Sequence, residues 1–268
     1  MDDLRRKLAP IPKSAWHEID EEARKHLKVI LSARRIVDFK GPLGWTTSAV
    51  ELGRIEPLGK GPIDGVSAAL RRVQRLVELR ADFELERKEL DAVARGAKVI
   101  DLDPLREAAR KIGIAEDRAI FHGYPEAEIQ GIIEATSDRA ISLTSDYQKY
   151  PAAVSEAMYR LQLDGVGGPF AMALGPDCYR GLTSTTTPAG YPVLQHVQRL
   201  VDGPVFFAAG VRGAVIASLR GGDFELIVGR DFSIGYQDHT ATTVRLYLEE
   251  SMTFRVLTPE AAIPLVYR

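Results

Sequence analysis

The chain has 268 residues, enough to bury a large apolar core without disulfides or a structural metal. Its 35 basic and 37 acidic residues nearly cancel to a net charge of −2, which argues against nucleic acid as the main partner, since a nucleic-acid-binding domain is usually basic. The single cysteine excludes an internal disulfide, no apolar run reaches roughly 18 residues, and Met1–Pro10 lacks the apolar core of a signal peptide. We therefore expect a cytoplasmic protein without a membrane partner.

The first predicted helix follows the stiff segment Pro10–Pro12, with Ser14 as its N-cap. Its apolar residues recur at spacings of three and four and place one stripe on a helix of about five turns. These residues are Trp16, Ile19, Ala23, Leu27, Ile30 and Ala33. After this helix, Arg35–Phe39 predicts a short strand that ends in the turn Gly41–Gly44.

Thr46–Ser67 has little periodicity and contains several glycines and prolines, which predicts an irregular segment with short extended pieces at Ser48–Val50 and Arg54–Ile55. An irregular segment of this length is uncommon inside a compact domain. Two interpretations are open at this point. The segment is either a mobile surface loop or an arm that leaves the body and packs on a neighbouring subunit.

The rest of the chain mixes helices and strands. Helices are predicted at Lys88–Arg95, Asp103–His122, Glu126–Ala135, Ala152–Leu163 and Pro192–Val201, and a loop at Thr183–Gly190. Extended segments are predicted at Val73–Leu85, Phe170–Leu174, Val205–Ala208, Ala214–Leu219, Phe224–Val228, Val244–Leu248, Met252–Leu257 and Ala262–Val266. Because these elements show no regular βαβ alternation, the predicted class is α+β.

The residue types that carry chemistry do not form a reactive pattern. The five histidines lack metal-ligand spacing, and Cys178 has no histidine beside it in sequence. The glycine run Gly165–Gly168 precedes a strand, which is the reverse of the order in a dinucleotide site. We therefore predict that the chain is not an enzyme and holds neither a metal nor a cofactor.

Several segments carry a resemblance to a known family. The most specific is Arg220–Leu226, which leads into Gly229–Tyr236. Others are Leu8–Pro10, Trp16–Asp20, Arg34–Asp38 with Gly41–Trp45, Glu89–Asp91, Ile120–Gly123, Val244–Leu246 and Pro259–Ala261. Together, in this order from end to end, they resemble the encapsulin family, the linocin-type shell proteins of bacterial nanocompartments.

The resemblance implies the fold of tailed-phage major capsid proteins, with a peripheral domain, an extended loop and an axial domain. On that basis, residues 1–45 and 73–130 are expected in the peripheral domain, the latter with a spine helix, and 46–72 form the extended loop. Residues 131–222 form the axial domain with a pore loop at 183–192, residues 223–253 return to the peripheral domain, and 254–268 form a C-terminal axial strand.

The function that the resemblance implies is that of a shell protein. Such subunits self-assemble into a hollow icosahedral shell with pentameric vertices around cargo enzymes, commonly ferritin-like iron-storage proteins or dye-decolorising peroxidases, each carrying a C-terminal targeting peptide. The residues expected to contact that peptide are Arg34, Ile36, Asp38, Asp231, Phe232 and Ile234. The alternative is that these residues merely tie the end of the first helix to the following strand.

Two further expectations come from the resemblance. The pore loop is expected at Thr185, Thr186, Thr187, Pro188, Ala189 and Gly190, whose small hydroxyl side chains would line a hydrated opening for ions and small molecules. Some family members stack a flavin on a tryptophan, but the matching position is Lys88, so a flavin is not expected.

Two other functions stay open from sequence. A phage or prophage major capsid protein would share the fold but package nucleic acid. A secreted bacteriocin or hydrolase would need an export signal or a nucleophile with a base, and neither pattern is present in the sequence.

Overall fold

A computed structural model of the chain describes residues 3–267. The helices are α1 (Lys13–Ile30), α2 (Arg87–Ala94), α3 (Asp103–His122), α4 (Ile132–Ala135), α5 (Tyr150–Leu163), α6 (Pro176–Ser184) and α7 (Val193–Val201). The strands are β1 (Asp38–Lys40), β2 (Ala49–Leu58), β3 (Ala68–Arg75), β4 (Val77–Glu86), β5 (Ile141–Leu143), β6 (Phe170–Leu174), β7 (Val205–Phe207), β8 (Ala214–Ser218), β9 (Phe224–His239), β10 (Thr243–Val256) and β11 (Ala262–Tyr267). The predicted α+β class is confirmed.

A four-stranded sheet, in the order β1-β9-β10-β4, forms the first layer. Its centre is the long antiparallel pair β9–β10, and β1 joins β9 in parallel. The helices α1, α2 and α3 pack on this sheet around a core that includes Ile19, Leu105, Ile112 and Leu246. The face of α1 that enters this core is the predicted stripe, with Ile19, Ala23 and Leu27 buried.

A five-stranded sheet, in the order β5-β11-β8-β6-β7, forms the second body. The strands β6 and β8 are buried along their whole length, as expected of strands covered on both faces. The helices α5, α6 and α7 pack around this sheet. The core of this body extends to the end of α3, where Ile120 and Phe121 are fully buried, so α3 joins the two bodies.

The strands β2 and β3 pair with each other as a two-stranded antiparallel hairpin, which we call the arm. The prediction that Thr46–Ser67 is irregular was therefore wrong for Ala49–Leu58, and Val73–Leu85 is not one strand because it is divided at Leu76. The sequence hid these strands because most arm residues are exposed, so no alternation of apolar and polar residues marks a buried face.

Two long strands were predicted too short. Phe224–Val228 is the start of the 16-residue β9, and the two predicted strands at 244–248 and 252–257 are parts of the 14-residue β10. The pairing between them contains register shifts near Arg245 and between Glu249 and Met252. These irregularities break the period-2 pattern on which the prediction depended.

The predicted helix Glu126–Ala135 is also wrong. The segment is a single turn at Pro125–Ala127, a residue with positive φ at Glu128, and the short helix α4. Gly131 explains the interruption, because a Cβ there would lie 2.5 Å from the carbonyl carbon of His122. The backbone at 131 therefore packs directly on the end of α3, which a continuous helix would prevent.

Smaller differences occur at element ends. The helix α1 begins after Pro12, not at Ser14, and it ends at Ile30, so Ala33 lies in the short turn Ala33–Arg35 instead. The predicted strand Arg35–Phe39 is reduced to β1. Thr183 and Ser184, predicted as loop, are the last residues of α6.

Candidate functional site

A groove of about 480 Å³ lies between α1 and β9. Four of the six residues expected to contact a peptide line it, namely Arg34, Asp231, Phe232 and Ile234. Leu4, Arg6, Asp20, Ala23, Arg24, Leu27, Lys28, Leu31, Ser233 and Leu248 complete its lining. The groove therefore has an apolar floor, contributed by one face of α1 and by β9, and charged groups around its rim.

The other two expected residues, Ile36 and Asp38, lie outside this groove. They line a separate small cavity beside Gly221 and Asp223. Ile36 is buried in the core, and an Asp38 carboxylate oxygen accepts a hydrogen bond from the Gly222 amide at 2.5 Å. This contact ties β1 to the turn before β9, and peptide contact at these two positions stays a prediction.

Arg34 connects the groove to the core. Its guanidinium donates to Glu116 at 2.5–3.0 Å and to Glu250 at 2.6 Å, and it forms an ion pair with Asp231 at 2.9 Å. The ring of Phe232 lies 5.0 Å from the guanidinium carbon. One cation thus holds three carboxylates, and it fixes the position of two groove residues on β9.

The acids behind Arg34 are buried. Glu116 and Glu250 are fully buried, and one carboxylate oxygen of Glu250 has no hydrogen-bond partner among residues 3–267. Burial raises the pKa of Glu250 well above its ordinary value, and the neighbouring Glu116 raises it further, while Arg34 opposes the change. Burial would lower the pKa of Arg34, but the hydrogen bond and charge of Glu116 raise it overall. The protonated form of Glu250 is therefore favoured relative to an exposed glutamate, and Arg34 is the charge that opposes this change.

The turn that carries Arg34 is held by Asp117. Its carboxylate accepts hydrogen bonds from the Ser32 amide at 3.2 Å, the Ala33 amide at 2.9 Å and the Ser32 hydroxyl. Burial raises the pKa of Asp117 to about 7, although these hydrogen bonds oppose the increase. This contact sets where the chain leaves α1, and with it the position of Arg34.

Sequence reasoning missed most of the groove wall on α1. Arg24 and Lys28 lie on one side of that helix, and Leu31 follows directly after its end. The signal that could have found them is the width of the apolar stripe, since Leu27 belongs to the core and also reaches the groove. The sequence around Glu116 and Glu250 does not indicate that they are buried, because acidic residues in a helix or a strand usually face solvent.

The loop expected to form a pore connects α6 and α7. The Thr187 amide donates to the Tyr191 carbonyl at 2.8 Å, and the Gly190 amide donates to the Thr187 carbonyl at 2.8 Å. Gly190 has a φ of 78°, a conformation that glycine adopts without strain. The loop is thus a defined turn with hydroxyl side chains and no charged residue between Thr185 and Gly190.

The remaining singled-out residues lie elsewhere. Lys88 is exposed on α2 and forms an ion pair with Glu86. Cys178 is fully buried in the first turn of α6, where its sulfur lies 3.4 Å from the Tyr150 hydroxyl and 3.2 Å from that of Tyr267. Burial raises the pKa of its thiol, so a thiolate is disfavoured there.

Metal-ligand clusters and membrane-spanning helices are both absent from residues 3–267. Within that range, no cluster of three or more histidine, cysteine, aspartate or glutamate side chains is placed to hold a metal ion. No helix in the same range is long and apolar enough to span a membrane.

Comparison with known proteins decides the family. A family model described as "Encapsulating protein for peroxidase" matches residues 1–253. The chain belongs to the encapsulin shell protein family. A type 1 encapsulin shell protein of Rhodospirillum rubrum is 56% identical over 99% of this chain and 96% of its own length, and one of Mycobacterium tuberculosis is 44% identical over 99% of each chain.

Solved structures show the same fold. A virus-like particle from Pyrococcus furiosus matches with a TM-score of 0.63, at 16% identity, over 93% of this chain and 98% of its own. The capsid of an empty GTA particle matches with a TM-score of 0.54 at 16% identity, over 88% and 89% of the two chains. The expected capsid fold is therefore confirmed, and the chain is a structural shell protein of a self-assembling family. The expected domain boundaries stay a prediction.

Proposed function

We propose that the chain forms a closed icosahedral shell with pentameric vertices in the cytoplasm, encloses cargo enzymes and performs no catalysis itself. The observation that carries this proposal is the arm. Its apolar side chains are exposed in the single subunit, with Ile55 at 68%, Ile63 at 70% and Leu70 at 57%. Apolar surface on this scale usually marks an interaction site.

Burial of the arm against a neighbour would stabilise the assembly. Apolar surface contributes roughly 25 cal/mol per Å² that is removed from water. Binding of this kind stabilises the folded subunit by mass action, so folding and assembly support each other. In an assembly with closed point-group symmetry, each arm covers one neighbour, so no arm is left exposed.

We infer that the groove beside α1 binds the C-terminal targeting peptide of a cargo enzyme, such as a ferritin-like protein or a dye-decolorising peroxidase. The groove supports this, because apolar side chains of a peptide can pack on Leu27, Ile234 and Leu248 while Lys28 and Asp231 remain on the rim. Such a short contact would be weak for one copy. A multimeric cargo would gain affinity because several peptides bind one shell.

The loop Thr185–Gly190 is proposed to line the pore at the pentameric vertex. Its uncharged hydroxyl groups and its exposure favour passage of hydrated ions and small molecules over proteins. Replacement of Thr186 by aspartate in each of five copies would surround the opening with negative charge. Uptake of metal cations would then rise relative to that of small anions.

The test combines imaging with a cargo assay. The chain is expressed with a reporter protein that carries a C-terminal peptide from a candidate cargo gene. Hollow particles of uniform size by negative stain, with reporter inside, support the proposal. A monomer of 29.5 kDa under all solution conditions would contradict the shell.

Matched variants separate the groove from the shell. Phe232→Asp places a charge on the groove floor, so reporter loading should fall while particle size stays unchanged. Val29→Asp is the control, because Val29 lies on the same helix α1 but is 79% exposed and does not line the groove. Equal loading of both variants would rule out the groove as the cargo site. Host nucleic acid packed inside empty particles would favour the phage-capsid alternative instead.

A further inference from the structure

The arm carries two arginines directly opposite each other. In the pairing of β2 with β3, Arg54 is the register partner of Arg72, so both side chains point to the same face of the hairpin. Both are exposed, and neither forms an ion pair with any residue from 3 to 267. Like charges at directly opposed positions destabilise a strand pair. The single subunit therefore places two like charges opposite each other, and neither has an ion-pair partner among the described residues.

A bulge in β2 creates this opposition. Glu51 pairs with Val73, and the next pair is Arg54 with Arg72, so Leu52 and Gly53 have no counterparts on β3. Gly53 has a φ of 65°, which suits the extra residue of a bulge. Without the bulge, continuous pairing would place Arg54 opposite Leu70. The bulge thus places the two arginines at directly opposed positions of the hairpin.

The other arginines of β3 differ in this respect. Arg71 forms an ion pair with Glu51 at 3.1 Å, and Arg75 forms one with Glu128 at 3.1 Å. Glu56 lies two residues beyond Arg54 on the same face, yet the 3–267 range contains no ion pair between them. Of the four arginines on β2 and β3, Arg54 and Arg72 are therefore the two without an ion pair in residues 3–267.

An opposite charge excess lies on the main body. A surface pocket of about 280 Å³, at the end of β4 beside α2, is lined by Glu84, Glu86, Glu89 and Asp101, with Lys88 as the basic group among them. Lys88 pairs with Glu86, and a Glu89 oxygen accepts from the Asp101 amide at 3.2 Å. Glu84 has no ion-pair partner in residues 3–267. We call this surface the acidic pocket.

We propose that the Arg54–Arg72 pair of one subunit docks on the acidic pocket of a second copy, an inference that rests on the proposed shell. The complementary charges carry this choice of occupant, and the near-zero net charge of the whole chain favours a second copy over a polyanion. Carboxylates between the two guanidinium groups would convert a repulsion within the subunit into an attraction between subunits. The pair would thereby align the arm on its neighbour and select against wrong placements.

Charge reversal tests the contact. Arg54→Glu/Arg72→Glu and Glu84→Arg/Glu86→Arg should each reduce the assembled fraction roughly tenfold, because like charges would then meet. The four changes combined should restore assembly. The assay is size-exclusion chromatography with light scattering and negative stain, and circular dichroism confirms that each variant is folded. The matched control is Arg71→Gln/Arg75→Gln, whose arginines have partners within their own chain and whose assembly should be preserved.

Three results would overturn the proposal. The first is assembly of Arg54→Glu/Arg72→Glu at the parent level, and the second is a combined variant no better than either pair alone. The third is intact assembly with loss of bound nucleic acid, which would assign the arginines to a polyanion. If the parent and the Arg71→Gln/Arg75→Gln control form particles in these cases, the proposed shell function is not contradicted. A parent that never assembles would overturn the proposed function as well.

Discussion

The arm and the five-stranded sheet are both built from strands, but the sheet buries its side chains within one subunit and the arm exposes them. In the sheet, β6 and β8 are buried at every position within one subunit. In the arm, β2 and β3 expose apolar and charged side chains on both faces. The sheet therefore contributes to the stability of the single folded chain, whereas the arm would contribute chiefly in the proposed shell, where a neighbour covers it.

The largest effect is expected in the core that joins the two bodies. Phe121→Ala should destabilise the subunit by about 3–5 kcal/mol, because a fully buried ring leaves a cavity. Urea unfolding followed by circular dichroism, at one fixed protein concentration, measures the change. A loss below about 1 kcal/mol would show that the end of α3 does not join the bodies as the structure indicates.

The next effect concerns the charged cluster behind the groove. Arg34→Met should cost about 3 kcal/mol, because Glu116 and Glu250 lose the cation that compensates their burial. Combination with Glu250→Gln should recover part of the loss, since one of the two buried acids then carries no charge. Urea unfolding of the single and double variants provides the comparison, and no recovery would contradict a coupled cluster.

The stability of the subunit should also depend on pH through Asp117. Its pKa is raised to about 7 in the folded chain, so the folded state binds this proton more tightly than the unfolded state does. The resulting stability is complete at pH values below the ordinary aspartate pKa and is lost as the pH rises to about 7. The midpoint of urea unfolding should therefore fall between pH 5 and pH 8, and Asp117→Asn should reduce that difference.

The smallest effect on the subunit is expected in the arm. Ile55→Ser should change the free energy of unfolding by no more than about 0.5 kcal/mol, because the side chain is already exposed. The assembled fraction should nevertheless fall, since the proposed shell buries this side chain against a neighbour. A large loss of subunit stability with unchanged assembly would show that Ile55 stabilises the single subunit and not the assembly.

The same difference between sheet and arm explains what could be predicted from sequence. The helix Asp103–His122 and the strand Phe170–Leu174 were predicted with their observed limits, because burial within one subunit leaves a periodic pattern or an apolar run. The strand β2 was missed because its apolar residues have no partner in the chain. The end of β9 was missed because its residues Arg230–Ser233 are polar or partly exposed beside the groove, although they remain in the sheet.

The candidate site was predictable in part for a related reason. Four of the six expected residues line the groove because they lie on the turn after α1 and on β9, which meet there. Ile36 and Asp38 were expected with them from the family resemblance, but they line a separate small cavity, and Asp38 pairs with Glu225 at the start of β9. Glu116 and Glu250 come from distant elements, and their meeting at Arg34 depends on tertiary packing.

The root of the arm is fastened to the groove strand. The amides of Leu43 and Gly44 donate to the carbonyls of Val228 at 2.9 Å and Gly229 at 2.7 Å, two residues before the groove begins at Asp231. In the proposed shell, tension on the arm would therefore pass into β9, the strand that carries the groove residues Asp231 and Phe232. If cargo binds in this groove, loading should alter the mechanical stiffness of the particles, which nanoindentation of loaded and empty particles would measure.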